Sequence, residues 1–128
     1  MNLTRTTLAF IAAASLAAPA MAQPVPAVQS ALTLTLGGDA ERRTMQYDCG
    51  EFGQIGVDYL NAAPNFLALV PYEGSTLIFV AVMSASGARY AAGNYEWWTK
   101  GPDATFHDLT KGADAPPLAS CSEINNTP

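Results

Sequence analysis

Histidine is nearly absent from this chain: His107 stands alone, and that scarcity removes more functions than any single residue adds. A nucleophile of the triad type needs an imidazole beside it and a carboxylate to orient that imidazole. The carboxylate next to His107 is Asp108, and neighbours along a strand point to opposite faces, so these two do not make that pair. With no second histidine there is no H-E-x-x-H motif and no cysteine–histidine cluster, and neither a phosphate-binding loop nor a G-x-G-x-x-G turn occurs. The carboxylates are scattered singly, so spacing nominates no glycosidase pair. The expectation is a protein that is not an enzyme and uses no metal or other cofactor.

Positive charge is scarce as well. Six Lys and Arg stand against eleven Asp and Glu, a formal net charge of −5. Phosphate recognition needs a basic face, so nucleic acid is excluded and a basic partner is expected. Long apolar runs are also missing: beyond the leader no stretch approaches the ~18 uninterrupted apolar residues of a membrane span. Two cysteines, Cys49 and Cys121, lack the C-x-x-C spacing of redox or metal pairs. In an exported chain they most simply form one disulfide, closing a loop of roughly 70 residues for which chain entropy gives roughly 4 kcal/mol.

Export is written at the N-terminus. Arg5 precedes the apolar run Leu8 to Ala18, and Ala20-Met21-Ala22 supplies small residues at the cleavage positions. Residues 1–22 are therefore expected to be a signal peptide cleaved after Ala22, leaving Gln23 first and the net charge one unit more negative. No cysteine follows that cleavage site, so lipid attachment there is excluded, and a periplasmic or secreted protein is expected. What remains is enough for one domain with a modest core and too little for two. Residues 23–43 read as an N-terminal extension: Gln23 to Val28 is proline-spaced, and Ala31 to Leu36 alternates with period two as a candidate outer strand.

From Thr44 short strand-like runs recur every 8 to 12 residues or so, with turn chemistry between them, which predicts a small all-β antiparallel barrel of about seven or eight strands over residues 44–128. Thr44–Cys49, Ile55–Leu60, Phe66–Val70, Thr76–Met83, Ala88–Ala91, Asn94–Lys100, Ala104–Leu109 and Leu118–Cys121 are the runs, and no segment longer than a turn has helical spacing. Thr76–Met83 is apolar on both faces, so a central, covered place in the core is expected for it. In Tyr95–Lys100 the alternation puts Trp97 and Trp98 on opposite faces: one belongs to the core and the other to a rim or the underside of a loop.

Two short motifs concentrate the functional signal. Ser84-Ala85-Ser86-Gly87-Ala88-Arg89-Tyr90 sets a small hydroxyl in a glycine-hinged turn, and Trp98-Thr99-Lys100-Gly101-Pro102-Asp103-Ala104 ends an aromatic strand on a lysine. Taken alone, the first is an ordinary strand-to-strand turn, Lys100 a solvated surface lysine, and Arg89 and Tyr90 a cation resting on an aromatic. Together, in this order between Cys49 and Cys121, they resemble the motifs S-G-S-G-A-R-Y and W-[ST]-K-G-x-x-A of the inhibitors of C-type lysozyme called MliC or PliC. The chain departs by Ala85 where the first motif has glycine, and it lacks the acylatable cysteine of the family's lipoproteins. The resemblance spans about Thr44 to Glu123. It implies that Ser86 and Lys100 are the inhibitory pair, that Gly87, Arg89, Tyr90 and Thr99 belong to the lysozyme-binding surface, and that the partner is a basic C-type lysozyme. Nothing in the sequence speaks to oligomeric state. The alternative is a small envelope barrel that binds a glycan or another ligand, with the Ser-Gly turn purely structural.

Overall fold

The structure, a computed structural model, describes residues 32–124. The expected leader and the extension as far as Ala31 lie outside the described residues. Eight antiparallel strands close into a barrel in strict sequence order: β1 (Glu41–Asp48), β2 (Gln54–Ala62), β3 (Asn65–Tyr72), β4 (Ser75–Val82), β5 (Ala88–Ala92), β6 (Tyr95–Lys100), β7 (Asp103–Asp108) and β8 (Ala119–Glu123). Single 3₁₀ turns occur at Gly50–Phe52 and Leu109–Lys111. The all-β barrel expected from the turn spacing is the fold observed.

Local chemistry makes the meander. Two-residue loops need backbones of positive φ to match the twist of the flanking strands. Glu73 (φ 47°) and Gly74 (φ 76°) supply both between Tyr72 and Ser75, while Gly101 (φ 57°) opens the turn between Lys100 and Asp103 with Pro102 second. The latter is the arrangement in which glycine must come first and proline fits second. The run read as Phe66–Val70 extends in the structure through Pro71 to Tyr72. The partner of Pro71 is Thr76, one pair beyond the turn, where the β3 backbone nitrogen faces away from β4. On the other side the ladder with β2 has already ended at Leu69, so no hydrogen bond is missed.

Side-chain parity fills the interior. Val57, Phe79 and Trp97 are fully buried, and around Phe106 the rings of Tyr72, Tyr95 and Phe79 lie with centroids 4.9, 5.4 and 6.1 Å away. Such pairs add about 0.5–1.5 kcal/mol each beyond area burial. The ring closes where β1 meets β8 through only two register pairs, Tyr47 with Glu123 and Asp48 with Ser122. The Cys49–Cys121 disulfide staples this shortest ladder.

Two expectations fail. Leu32 to Leu36 form no strand; residues 32–40 carry no regular pairing, and β1 starts at Glu41 rather than Thr44. The physical reason is closure: every strand of the ring already has two neighbours, so no edge is open to a ninth. The second failure concerns β4. Phe79 points inward, but Ile78, Val80 and Val82 are exposed on the outer face, and Met83 beyond them is 98% exposed. A barrel wall has one buried face, so a strand apolar on both sides leaves one of them bare.

Candidate functional site

The site forms where the β4–β5 turn folds over the end of β6. Alternation holds as read: Trp97 is buried in the barrel, and Trp98 lies half-buried on the outside. The Trp98 Nε1 donates to the Ser86 carbonyl at 3.0 Å, and the Ser84 hydroxyl donates to the same carbonyl at 2.6 Å. Two donors on one acceptor fix the turn on the indole. Neither role was assigned from sequence; the exposed partner of the Trp97-Trp98 pair was the available signal.

Gly87 makes the close approach possible. With φ +65°, an added Cβ would lie 2.1 Å from the Thr99 backbone oxygen, 2.9 Å from Lys100 Cγ and 3.1 Å from Trp98 Nε1. Only a hydrogen fits there. The turn carrying Ser86 therefore rests directly on the strand end carrying Lys100, and both side chains are exposed. Lys100 Nζ sits 3.6 Å from the centroid of the Trp98 ring, a cation–π contact worth about 0.5–1 kcal/mol at an exposed position.

The remaining motif residues do different jobs. Arg89 pairs across β5–β6 with Trp98, its guanidinium 4.8 Å from the ring centroid, and its Nη2 bonds the buried carboxylate of Glu96 at 2.7 Å. Arg89 thus rests on an aromatic, Trp98 rather than Tyr90, and is also ion-paired, and it ties β5 to β6 beneath the turn. Thr99 is half-buried and its hydroxyl donates to the Ala88 carbonyl at 3.4 Å. Tyr90 points into the barrel, its ring 5.8 Å from that of Tyr59, and burial raises its hydroxyl pKa. The structure brings Ser86, Gly87, Thr99 and Lys100 together at one rim and places Tyr90 behind them.

His107 contacts the Thr105 hydroxyl at 3.1 Å, while the Asp108 carboxylate accepts from the Thr110 amide and hydroxyl. They serve separate local structures. Among the described residues no group of three or more His, Cys, Asp or Glu is placed to hold a metal ion, and no helix is long and apolar enough to cross a membrane.

Comparisons with known proteins identify the family. Residues 47–115 match the family described as MliC, membrane-bound lysozyme-inhibitor of c-type lysozyme. The chain is 46% identical over 93 residues to the membrane-bound lysozyme inhibitor of C-type lysozyme of Pseudomonas aeruginosa, covering 70% of this chain and 73% of that one. It is 42% identical over 80 residues to the protein of the same name in Cupriavidus necator, covering 62% and 64%. Among solved structures it is similar to Pseudomonas aeruginosa MliC in complex with hen egg white lysozyme, with a TM-score of 0.61, 43% identity and coverage of 75% of this chain and 98% of the other. PliC-St, the periplasmic lysozyme inhibitor of C-type lysozyme from Salmonella typhimurium, aligns with a TM-score of 0.56 and 29% identity over 66% of this chain and 100% of its own. With its barrel, its disulfide and its matched length, the chain belongs to the MliC family of inhibitors of C-type lysozyme.

Proposed function

We propose that this protein blocks C-type lysozyme by setting the Ser84–Gly87 turn and Lys100 into the enzyme's active-site cleft, and so protects bacterial peptidoglycan. The observation that carries the proposal is the seating of Gly87 on Thr99 and Lys100, which holds a hydroxyl and an ammonium on one exposed rim. A retaining glycosidase of this type works with two carboxyl groups about 5 Å apart, one kept protonated and one ionised. An ammonium satisfies the ionised carboxylate, a hydroxyl hydrogen-bonds its partner, and the body of the turn excludes sugar. Ser86, Gly87, Thr99 and Lys100 make the contact in this proposal. Arg89 and Tyr90 act from behind, by holding β5 against β6.

Charge complements the partner. The net charge of −5 attracts a basic enzyme before contact, speeding encounter more than it strengthens the complex. An exported protein that is not held by a lipid is part of the proposal. The relatives are described as membrane-bound inhibitors, and in this respect the proposal departs from them.

The direct test is a turbidity assay of C-type lysozyme on bacterial cell walls with the purified protein added. Inhibition at near-stoichiometric ratio that is lost in Lys100→Ala supports the plug. Full lysis in the presence of excess folded protein refutes it.

A further inference from the structure

A polar cavity of about 360 Å³ opens at one end of the barrel, lined by Tyr47, Tyr59, Tyr90, Asn61, Thr99 and the rim charges Arg43 and Glu123. Its residues come from β1, β2, β5, β6 and β8, at positions whose parity turns them inward. An inward position in a small barrel is normally apolar, because the lumen is just wide enough to be packed shut with side chains or to hold one small ligand. The opposite end is packed shut by the Phe106 aromatic cluster. Here the inward positions carry hydroxyls and an amide instead.

The three tyrosines are buried as residues, and their hydrogen bonds do not use up their hydroxyls. Tyr47, Tyr59 and Tyr90 are 3%, 9% and 8% exposed. The Trp97 Nε1 donates to the Tyr59 hydroxyl at 2.9 Å, and the Tyr59 and Tyr47 hydroxyls share one bond at 3.0 Å. Two hydroxyls bring two protons, and that shared bond consumes one. Whichever of the pair donates, one O–H has no partner among the described residues, and both residues face the cavity. The Tyr90 hydroxyl bonds to no described residue either. Two O–H donors held on rigid rings therefore converge on one small space open to solvent, where a ligand hydroxyl can replace water on each of them.

The enclosed groups define the ligand. They are neutral: phenols and the half-buried Asn61 amide, which offers both donor and acceptor. Arg43, exposed, and Glu123, half-buried, add one charge of each sign at the mouth and cancel there. An anion or a cation would find no net charge to match. A neutral ring bearing several hydroxyls would find donors, an acceptor and aromatic walls, in a volume suited to one ring and not to a chain. We propose that the barrel mouth is a binding site for a single neutral sugar unit, held by the uncommitted tyrosine hydroxyls and the Asn61 amide. Thr99 and Gly101 belong to its rim and bracket Lys100 in sequence, but the site itself does not depend on the Lys100 reading.

The experiment is a two-dimensional amide NMR titration of the full chain with N-acetylglucosamine and with glucose, with glycine as a zwitterion control. Saturable shifts at Tyr47, Asn61, Tyr90 and Thr99 with a Kd in the millimolar range are expected for one or both sugars, and none for glycine. Tyr90→Phe removes one donor at constant ring volume and should weaken sugar binding about fivefold, with the rest of the spectrum unchanged. Asn61→Ala should weaken it at least as much; if that variant does not fold, Tyr90→Phe decides alone. The proposal is overturned if neither sugar gives saturable shifts, if glycine shifts the same amides equally, or if Tyr90→Phe binds sugar like the parent chain.

Discussion

A methyl group added at Gly87 would lie 2.1 Å from the backbone oxygen of Thr99. Nothing at the far end of a flexible side chain is involved on either partner, so the turn itself must move. Gly87→Ala is therefore expected to lift the Ser86 turn off β6 and to weaken lysozyme inhibition by more than about tenfold, with about 1–3 kcal/mol lost from folding through the positive φ. Inhibition titrations together with thermal melts separate the two effects. A variant that inhibits normally would show that the seating of the turn is irrelevant to the partner.

Lys100→Ala should cost about 2–5 kcal/mol of lysozyme affinity, because an enzyme carboxylate is left desolvated and unpaired, and Ser86→Ala about 1–3 kcal/mol. As both side chains are exposed, Ser86→Ala should leave the melting midpoint in place, and Lys100→Ala should lower it by no more than the few degrees that its contact with Trp98 is worth. Lys100→Arg should also bind worse, since a planar guanidinium does not sit where a compact ammonium fits. Calorimetry on the three variants decides the matter: wild-type affinity in all of them removes the pair from the mechanism, and early melting makes them structural.

Trp98→Phe keeps an aromatic surface under Lys100 and Arg89 but deletes the indole N–H that holds the Ser86 carbonyl. A loosened turn must be ordered on binding, so affinity should fall about fivefold to tenfold while stability changes by less than about 1 kcal/mol. Unaltered affinity would mean that the Ser84 hydroxyl alone suffices to set the turn.

Reduction of Cys49–Cys121, whose partners are 72 positions apart, should lower the thermal midpoint by about 15 degrees or more, from ~4 kcal/mol of loop-closure entropy. Melting with and without reductant measures it. A midpoint that stays put would show that the β1–β8 ladder closes the ring unaided.

Stability should fall at both pH extremes, for opposite reasons. The Arg42 guanidinium and the Thr44 hydroxyl hold the Asp58 carboxyl below its usual range, and the Thr110 hydroxyl and amide do the same for Asp108. A depressed carboxyl contributes stability above its unfolded pKa of about 4 and loses it as pH drops through the folded value; both groups are half-buried at the surface and still reached by water, so the acid slope is shallow. Burial raises the Tyr47, Tyr59 and Tyr90 hydroxyls. Their contribution is complete below the unfolded value of about 10 and is lost as pH rises above it. Melts across the range should show the alkaline limb as the steeper. Asp58→Asn should flatten the acid limb only; an unchanged acid limb would rule the Arg42–Asp58 pair out as its cause.

What the sequence made legible follows from which physics is local. Strand spacing and the split of Trp97 from Trp98 depend on neighbours within a few residues, and both were readable. The disulfide was readable because two cysteines allow only one pairing. A barrel was readable too, but not the pairing that closes it, which rests on β1 meeting β8 across most of the chain. Both errors, the strand assigned to Ala31–Leu36 and the covered place assigned to β4, come from what a closed ring entails: it leaves no edge for another strand and buries one face of each. The barrel mouth was invisible because Asn61, Tyr90 and Thr99 share a surface only once five strands have been wrapped.

The outer stripe of Ile78, Val80 and Val82 takes a second meaning from where β4 sits in the ring. Counted around the barrel, β4 and β5 lie diametrically opposite the β1–β8 junction. If that junction parts, the strands left with a free edge are β1 and β8, while β4 keeps both its neighbours and all its paired amides. A strand apolar on both faces, hazardous at an open edge, thus keeps its ladder when the junction parts. Breathing of the barrel and exposure of that strand's backbone are, by geometry, uncoupled events.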